Sequence, residues 1–196
     1  MRIVAGRHKG RALTAPAGGD VRPTSSLTRE SLFNVLAHGR FADDGDPLAG
    51  ATVLDAFAGS GANGLEALSR GAARAVFLEN DSGALAALQR NIAALGETAR
   101  SEVVRADVRT PPAATRACAP VFLDPPYRAG LAAPALAALA ARGWIAPRAL
   151  VVVETAKGES LTPPPGFETL DSRHYGKARL IFLRAPAAGS DSEPPP

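Results

Sequence analysis

An α/β fold built on one mostly parallel sheet is what this sequence predicts, and three observations predict it. Short apolar runs of strand length alternate with segments of helical apolar spacing between Ala51 and Glu154. Gly59, Gly61, Gly71 and Gly96 fall where strands and helices must turn. The last two strand-like runs, 168–174 and 177–184, are joined only by Tyr175-Gly176, too short a link for a parallel crossover, so they form a hairpin. Seven strands, mostly parallel, with one antiparallel strand near an edge, satisfy all three.

The elements follow in order. Residues 2–6 and 11–15 read as two short strands about the basic turn His8-Lys9-Gly10. Gly18-Gly19 and Pro23 break that pattern, and Thr24, Ser25 or Ser26 can cap a helix to about His38, with Leu32, Val35 and Leu36 on its apolar side. Residues 1–45 are therefore expected to form a small basic β-hairpin and helix extension. Residues 46–184 make the main domain, and 185–196, rich in Pro, Ser and Gly, a disordered tail. In the main domain a buried strand from Ala51 runs into the turn Gly59-Ser60-Gly61, and a helix follows from Ala62 to Arg70 with Gly71 as its C-cap. A second strand, 75–78, ends on Glu79; Ser82 caps a helix to Leu95, with Gly96 after it. Strands at 103–107, 121–123 and 149–154, with an alanine-rich helix over 131–142, complete the alternation.

Composition bounds the class. At 196 residues and 46% hydrophobic, the chain can bury one proper core. Residues 1–40 carry seven basic side chains against Asp20 and Glu30, whereas the remainder carries fifteen against seventeen acids, so a basic front meets a slightly acidic body. That asymmetry suits a face turned towards phosphate; a solvated arm without a partner is the plainer alternative. Cys118 stands alone, which excludes a disulfide or cysteine zinc cluster within the chain, and His8, His38 and His174 lack metal-ligand spacing. No metal is expected. There is no signal peptide and no run of about 18 apolar residues, so a cytoplasmic protein without a membrane span is expected; the sequence leaves the oligomeric state open, with a monomer the default.

The chemistry concentrates at the carboxyl ends of the strands, where open α/β sheets bind ligands. Asp124-Pro125-Pro126-Tyr127 places a carboxylate, a carbonyl without a neighbouring N–H, and an aromatic face at one spot. Those groups can hold both hydrogens of a planar base's exocyclic amine while the ring stacks on Tyr127, leaving the nitrogen lone pair aimed at an electrophile. A proline turn with a surface tyrosine is the bland alternative. Upstream, Gly59, Gly61 and Gly64 with Glu79 about 20 residues on also satisfy a dinucleotide fingerprint, so hydride transfer competes. Two acids favour S-adenosylmethionine instead. Asp55, four residues before Gly59, would repel a pyrophosphate but suit an ammonium. Asp107 can accept from an adenine amine, with Glu79 on the ribose hydroxyls. Phe57, Ala58, Gly59, Ser60 and Gly61 would then line the cofactor, with Asn80 and Val108 beside the second and third acids.

Over residues 1 to about 184 the chain resembles the bacterial 16S ribosomal RNA guanine-N2 methyltransferases. The resemblance rests on Met1-Arg2-Ile3-Val4-Ala5-Gly6 with Lys9-Gly10-Arg11, on Arg22-Pro23-Thr24-Ser25 with Arg29-Glu30-Ser31-Leu32-Phe33-Asn34, and on Asp55-Ala56-Phe57-Ala58-Gly59-Ser60-Gly61. Glu66-Ala67-Leu68-Ser69-Arg70-Gly71-Ala72 and Leu123-Asp124-Pro125-Pro126-Tyr127 complete it. The glycine loop and the Asp-Pro-Pro-Tyr stretch mark amino-methyltransferases broadly; the block around Arg22-Pro23-Thr24 is the specific part. Leu27-Thr28 and Asn63 depart from the family pattern. The resemblance implies a Rossmann-like class I methyltransferase fold, S-adenosylmethionine as cofactor, and methylation of a guanine in ribosomal RNA or the small ribosomal subunit. It casts Asp124, Pro125, Pro126 and Tyr127 as catalytic, and Arg7, Lys9, Arg11, Arg22, Thr24 and Arg29 as RNA-binding. Adenine-N6 methylation of RNA or DNA and a non-catalytic ribosome-assembly factor are the competing readings.

Overall fold

The computed structural model describes residues 1–16, 26–39, 41 and 45–188. Arg22 and Thr24, the capping positions Thr24 and Ser25, and the end of the tail lie outside them. In chain order the elements are α1 (Ser26–His38), β1 (Thr52–Ala56), α2 (Ala62–Ser69), β2 (Arg74–Glu79), α3 (Ser82–Leu95), β3 (Ser101–Arg105), β4 (Val121–Leu123), α4 (Ala132–Ala141), β5 (Leu150–Ala156), β6 (Glu168–Tyr175) and β7 (Ala178–Arg184).

One seven-stranded sheet runs β3-β2-β1-β4-β5-β7-β6. The first five strands in that row pair in parallel, and β7 lies antiparallel to both β5 and β6. This is the class I methyltransferase arrangement. The chain winds outward from β1 to β3 and then returns to place β4 on the other side of β1. That reversal opens a crevice at the carboxyl ends of β1 and β4. Both faces of the sheet are covered, so the central strands are apolar on both sides rather than alternating. Val53, Phe77, Phe122, Val152 and Phe182 face one core. Leu54, Val76, Val121, Val151 and Leu183 face the other, with Leu136 and Trp144 over them.

The amino-terminal stretch packs into the first core through Ile3 and Leu13, and α1 through Leu32, Phe33 and Leu36. Its hairpin is slighter than two full strands, with a single bridge, Arg2 to Ala12, flanked by bonds from Ile3 N–H to Arg11 O and Gly10 N–H to Ile3 O. The reason is that its backbone donors go elsewhere. Val4 and Ala5 N–H donate to the Glu66 carboxylate at 2.8 and 3.0 Å, His8 N–H to Ser69 Oγ, and Thr14 N–H to Asn91 Oδ1. Side chains of α2 and α3 replace the missing ladder.

Asp81, not Ser82, caps α3: its carboxylate accepts from Ala84 N–H at 2.7 Å, and Ser82 is the first helical residue. Both residue types can cap, but the acid also suits the positive end of the helix. Gly96 closes α3 at φ 70°, as expected of a left-handed cap. At the other end of the chain, Ala185 is buried and its N–H donates to Ala149 O, while Pro186 O accepts from Arg148 N–H.

Candidate active site

A cavity of about 660 Å³ opens at the carboxyl ends of β1, β2, β4 and β5. Its wall brings together Phe57, Ala58, Gly59, Ser60, Glu79, Asn80, Asp107, Asp124, Pro125, Pro126 and Tyr127. Those are eleven of the residues the sequence singles out, from four separate stretches. Met1 and Pro16 of the amino-terminal extension complete one side. Arg109 is the one basic side chain on the wall among the described residues.

At one end stands Glu79, the last residue of β2. Its Oε2 accepts from Gly59 N–H at 2.8 Å, and its Oε1 from Asn80 and Asp81 N–H at 2.8 and 2.9 Å. The carboxylate thus draws the glycine turn and the start of α3 against itself. Gly59 adopts φ 56°, and a Cβ built there would meet open space, so its backbone is bare towards the cavity. Phe57 takes φ 59° on the same wall, a conformation that costs a bulky residue on the order of 1–3 kcal/mol. The other two glycines of the apparent fingerprint serve packing. A Cβ at Gly61 would lie 2.4 Å from Leu88 Cδ1, and one at Gly64 2.3 Å from Phe77 Cε1.

Asp55 sits beneath the cavity rather than on its wall. It is 1% exposed, and its Oδ2 accepts from Gly64 N–H at 2.8 Å, where α2 has no side-chain cap of its own. That carboxyl is thus committed to the start of α2 and is not presented on the cavity wall. Its carboxyl occupies the helix N-terminus that a dinucleotide's pyrophosphate would need, which removes the basis of the hydride-transfer reading. Burial, with Asp124 and Glu79 nearby, pushes its pKa up to about 8. Gly61 and Val108 likewise lie off the wall; Val108 is buried in the second core. Asp107 is on the wall, two residues past the end of β3, and Arg109 grips it with three side-chain contacts of 2.6–3.1 Å. That grip holds its pKa below the usual carboxylate range.

At the other end, β4 stops at Leu123 and delivers Asp124, Pro125, Pro126 and Tyr127 to the cavity. A residue that sequence reasoning passed over joins them. Glu154 of β5 lines the cavity, is 6% exposed, and accepts from the Tyr127 hydroxyl at 2.5 Å. Leu123 pairs with Val153, so Asp124 and Glu154 stand one step further along, side by side. Burial first, and then the charge of Asp124, push the Glu154 pKa up to about 8. Its signal in the sequence was an acid at the carboxyl end of a strand, the rule that singled out Asp124.

The expected phosphate contacts divide. Arg29 is 0% exposed: it donates to Arg2 O at 2.5 Å, and its Nε lies 3.7 Å from Glu66 Oε2. Arg29, Leu32, Phe33 and Leu36 share one helical stripe, so packing the apolar residues carries the arginine inward. It cannot reach RNA, and burial lowers its pKa. Arg7 donates to the buried Glu97 at 2.5 Å, alongside His8 and Arg100 on the same carboxylate. Arg11 donates to Ala94 O, and Arg11 and Lys9 remain exposed. Among the described residues no cluster could hold a metal ion, and no helix is long and apolar enough to cross a membrane.

Comparison with known proteins fits this geometry. The family model of conserved hypothetical protein 95 matches residues 1–184. Ribosomal RNA small subunit methyltransferase D of Escherichia coli K12 is 38% identical over 98% of this chain and 94% of its own length. The Haemophilus influenzae protein of the same name is 34% identical over 90% and 89%. The solved structure of Escherichia coli yhhF superposes with a TM-score of 0.79 at 34% identity, covering 95% of this chain and 98% of that one. A likeness of this extent, carried through both ends of the cavity, is one of descent: the chain is a methyltransferase and belongs to the conserved hypothetical protein 95 family, that of ribosomal RNA small subunit methyltransferase D.

Proposed function

We propose that this methyltransferase uses S-adenosylmethionine to methylate the exocyclic N2 amine of a guanine in small-subunit ribosomal RNA. The observation that carries the reading is one cavity with two differently built ends. Glu79 and the bare Gly59 backbone lie at one, and Asp124, Pro125 and Tyr127 at the other. The acceptor set fits the cofactor, since Glu79 can accept from ribose hydroxyls and Asp107 from an adenine amine, while among the described residues no basic clamp for a pyrophosphate stands beside the glycine turn. Bound there, S-adenosylmethionine supplies a methyl group on a sulfonium, so the leaving group departs uncharged.

The chain's own residues do the rest. Asp124 and the Pro125 carbonyl accept the two amine hydrogens, and Tyr127 stacks on the base, a contact worth about 1–3 kcal/mol. Holding both hydrogens would leave the nitrogen lone pair aimed at the methyl group that the cofactor would supply, and Asp124 or water would take the amine proton. A paired guanine must be extruded or met while the RNA is open. Lys9 and Arg11 hold phosphates without reading sequence, and Arg7 adds its charge from the Glu97 anchor.

The test is transfer of labelled methyl to small subunits from cells lacking this gene, followed by nucleoside analysis. Label in N2-methylguanosine is the expected result. Label in N6-methyladenosine would keep the mechanism and replace the substrate. Absence of label despite cofactor binding would turn the assignment towards a non-catalytic RNA partner.

A further inference from the structure

The base end of the cavity contains one more acid than holding an amine requires. Asp124 and the Pro125 carbonyl suffice for two amine hydrogens. Glu154 stands beside Asp124 on the neighbouring strand, about 4.8 Å away at the usual strand spacing. It lines the same wall and is tied in place by Tyr127, the residue on which the base is to stack. Two acids side by side, with no basic side chain near them on the wall among the described residues, form an acceptor-only surface once both are ionised. Burial first, and then the charge of Asp124, hold the Glu154 pKa up at about 8, so the pair is acceptor-only above that pH.

We propose that Glu154 reads the N1–H of the target guanine beside Asp124, so that the paired acids admit guanine and exclude adenine. The inference rests on the guanine-N2 reading above and deepens it.

The Watson–Crick edge of guanine carries N1–H and the N2 amine at adjacent positions, both donors. Adenine carries its amine next to N1, which is an acceptor. With the amine held by Asp124, the adjoining ring nitrogen must face the next acceptor on the wall. Guanine places a hydrogen there, and adenine a lone pair. Rejection of this kind is strong, because a buried group left without its partner loses far more than a pocket gains by shape alone. Asp-Pro-Pro-Tyr by itself serves either amine, so the acid on β5 supplies the choice that the motif lacks. Tyr127 has a double part: its ring supports the base, and its hydroxyl, by occupying Glu154 Oε1, sets where the carboxylate points. Tyr127 acts on base choice only through Glu154 and is in that respect a positioning residue.

The test compares guanine with 2-aminopurine, which keeps the N2 amine but has a bare N1. The methylated position is first mapped by nucleoside analysis of subunits treated with the wild-type enzyme. Small-subunit RNA ligated to carry either base at that position is then assembled and assayed at pH 8.5, above the Glu154 value. Wild-type enzyme should methylate guanine at least about 100-fold faster in kcat/KM than 2-aminopurine. In E154Q that ratio should fall below about tenfold, mainly through slower guanine methylation, with S-adenosylmethionine binding unchanged by calorimetry. A wild-type ratio within threefold overturns the proposal without any variant. A ratio that persists in both E154Q and E154A overturns it too, since discrimination would then come from the guanine O6. If the mapping finds label outside N2-methylguanosine, the guanine-N2 reading itself falls, an outcome recognisable before any analogue is made.

Discussion

Glu79 and Glu154 are the same residue at nearly the same burial, 9% and 6% exposed, at opposite ends of one cavity. Three backbone N–H groups converge on Glu79. Glu154 receives one tyrosine hydroxyl and faces a second acid. The contrast separates two uses of a buried carboxylate. Glu79 is a structural nail, and in the proposed reading it also presents oxygens to the cofactor, so that end is preorganised by the backbone. Glu154 is short of donors, so the base end is completed only by a molecule that brings them.

If the two ends are that distinct, substitutions should separate cleanly. The largest effect belongs to the base end. Asp124→Ala should lower kcat by about 10²–10³-fold or more in single-turnover methyl transfer, while the dissociation constant for S-adenosylmethionine stays within threefold. Near wild-type turnover would remove Asp124 from the chemistry. Next comes the converse at the cofactor end. Glu79→Gln should weaken S-adenosylmethionine about 10–100-fold by calorimetry, from the loss of charge-assisted bonds, with kcat at saturating cofactor changed far less. A kcat loss as large as that of Asp124→Ala would merge the two ends into one.

A smaller effect lies in stability against pH. Asp55 and Glu154 are both pushed up to about 8 in the folded chain by burial. An acid whose folded pKa exceeds its unfolded value binds its proton more tightly when folded. Its contribution is therefore full below about pH 4 and is lost as pH rises towards 8. Asp55→Asn and Glu154→Gln should accordingly gain on wild type by a few °C in Tm between pH 5 and pH 8.5. Parallel Tm curves across that range would show that neither acid is held neutral. The smallest change should come from Lys9 and Arg11, which stand on neither end of the cavity wall. Lys9→Ala and Arg11→Ala should each lower the slope of log K against log salt for RNA binding by about one, leaving kcat alone. An unchanged slope would place the RNA face elsewhere.

Much of the architecture was legible because doubly covered strands are apolar throughout and their turns carry glycine. Val121-Phe122-Leu123 and the α3 terminus at Gly96 fall where that reasoning places them. The acids of the cavity were legible by position, at strand ends. What escaped was whatever depends on partners distant in sequence. Arg29 reads as a free cation in a basic segment, and only the packing of α1 shows that its stripe faces inward. The capping role of Asp55 is hidden because nothing local reveals that α2 lacks a side-chain cap of its own. Glu154 was absorbed into an apolar run as the last residue of a strand, its function set by a tyrosine 27 positions earlier.

The arm at the front of the chain has its own consequence in time. The groups that hold it, Glu66, Ser69, Asn91 and Glu97, come 61 to 90 positions later. On a chain made from its amino terminus, these residues thus emerge well before the groups that hold them. The chain must be out through Arg100 before Glu97 can gather Arg7, His8 and Arg100. Until then the cationic side chains of this stretch lack their buried carboxylate, and its charge is balanced only when the body that carries the cavity has been made.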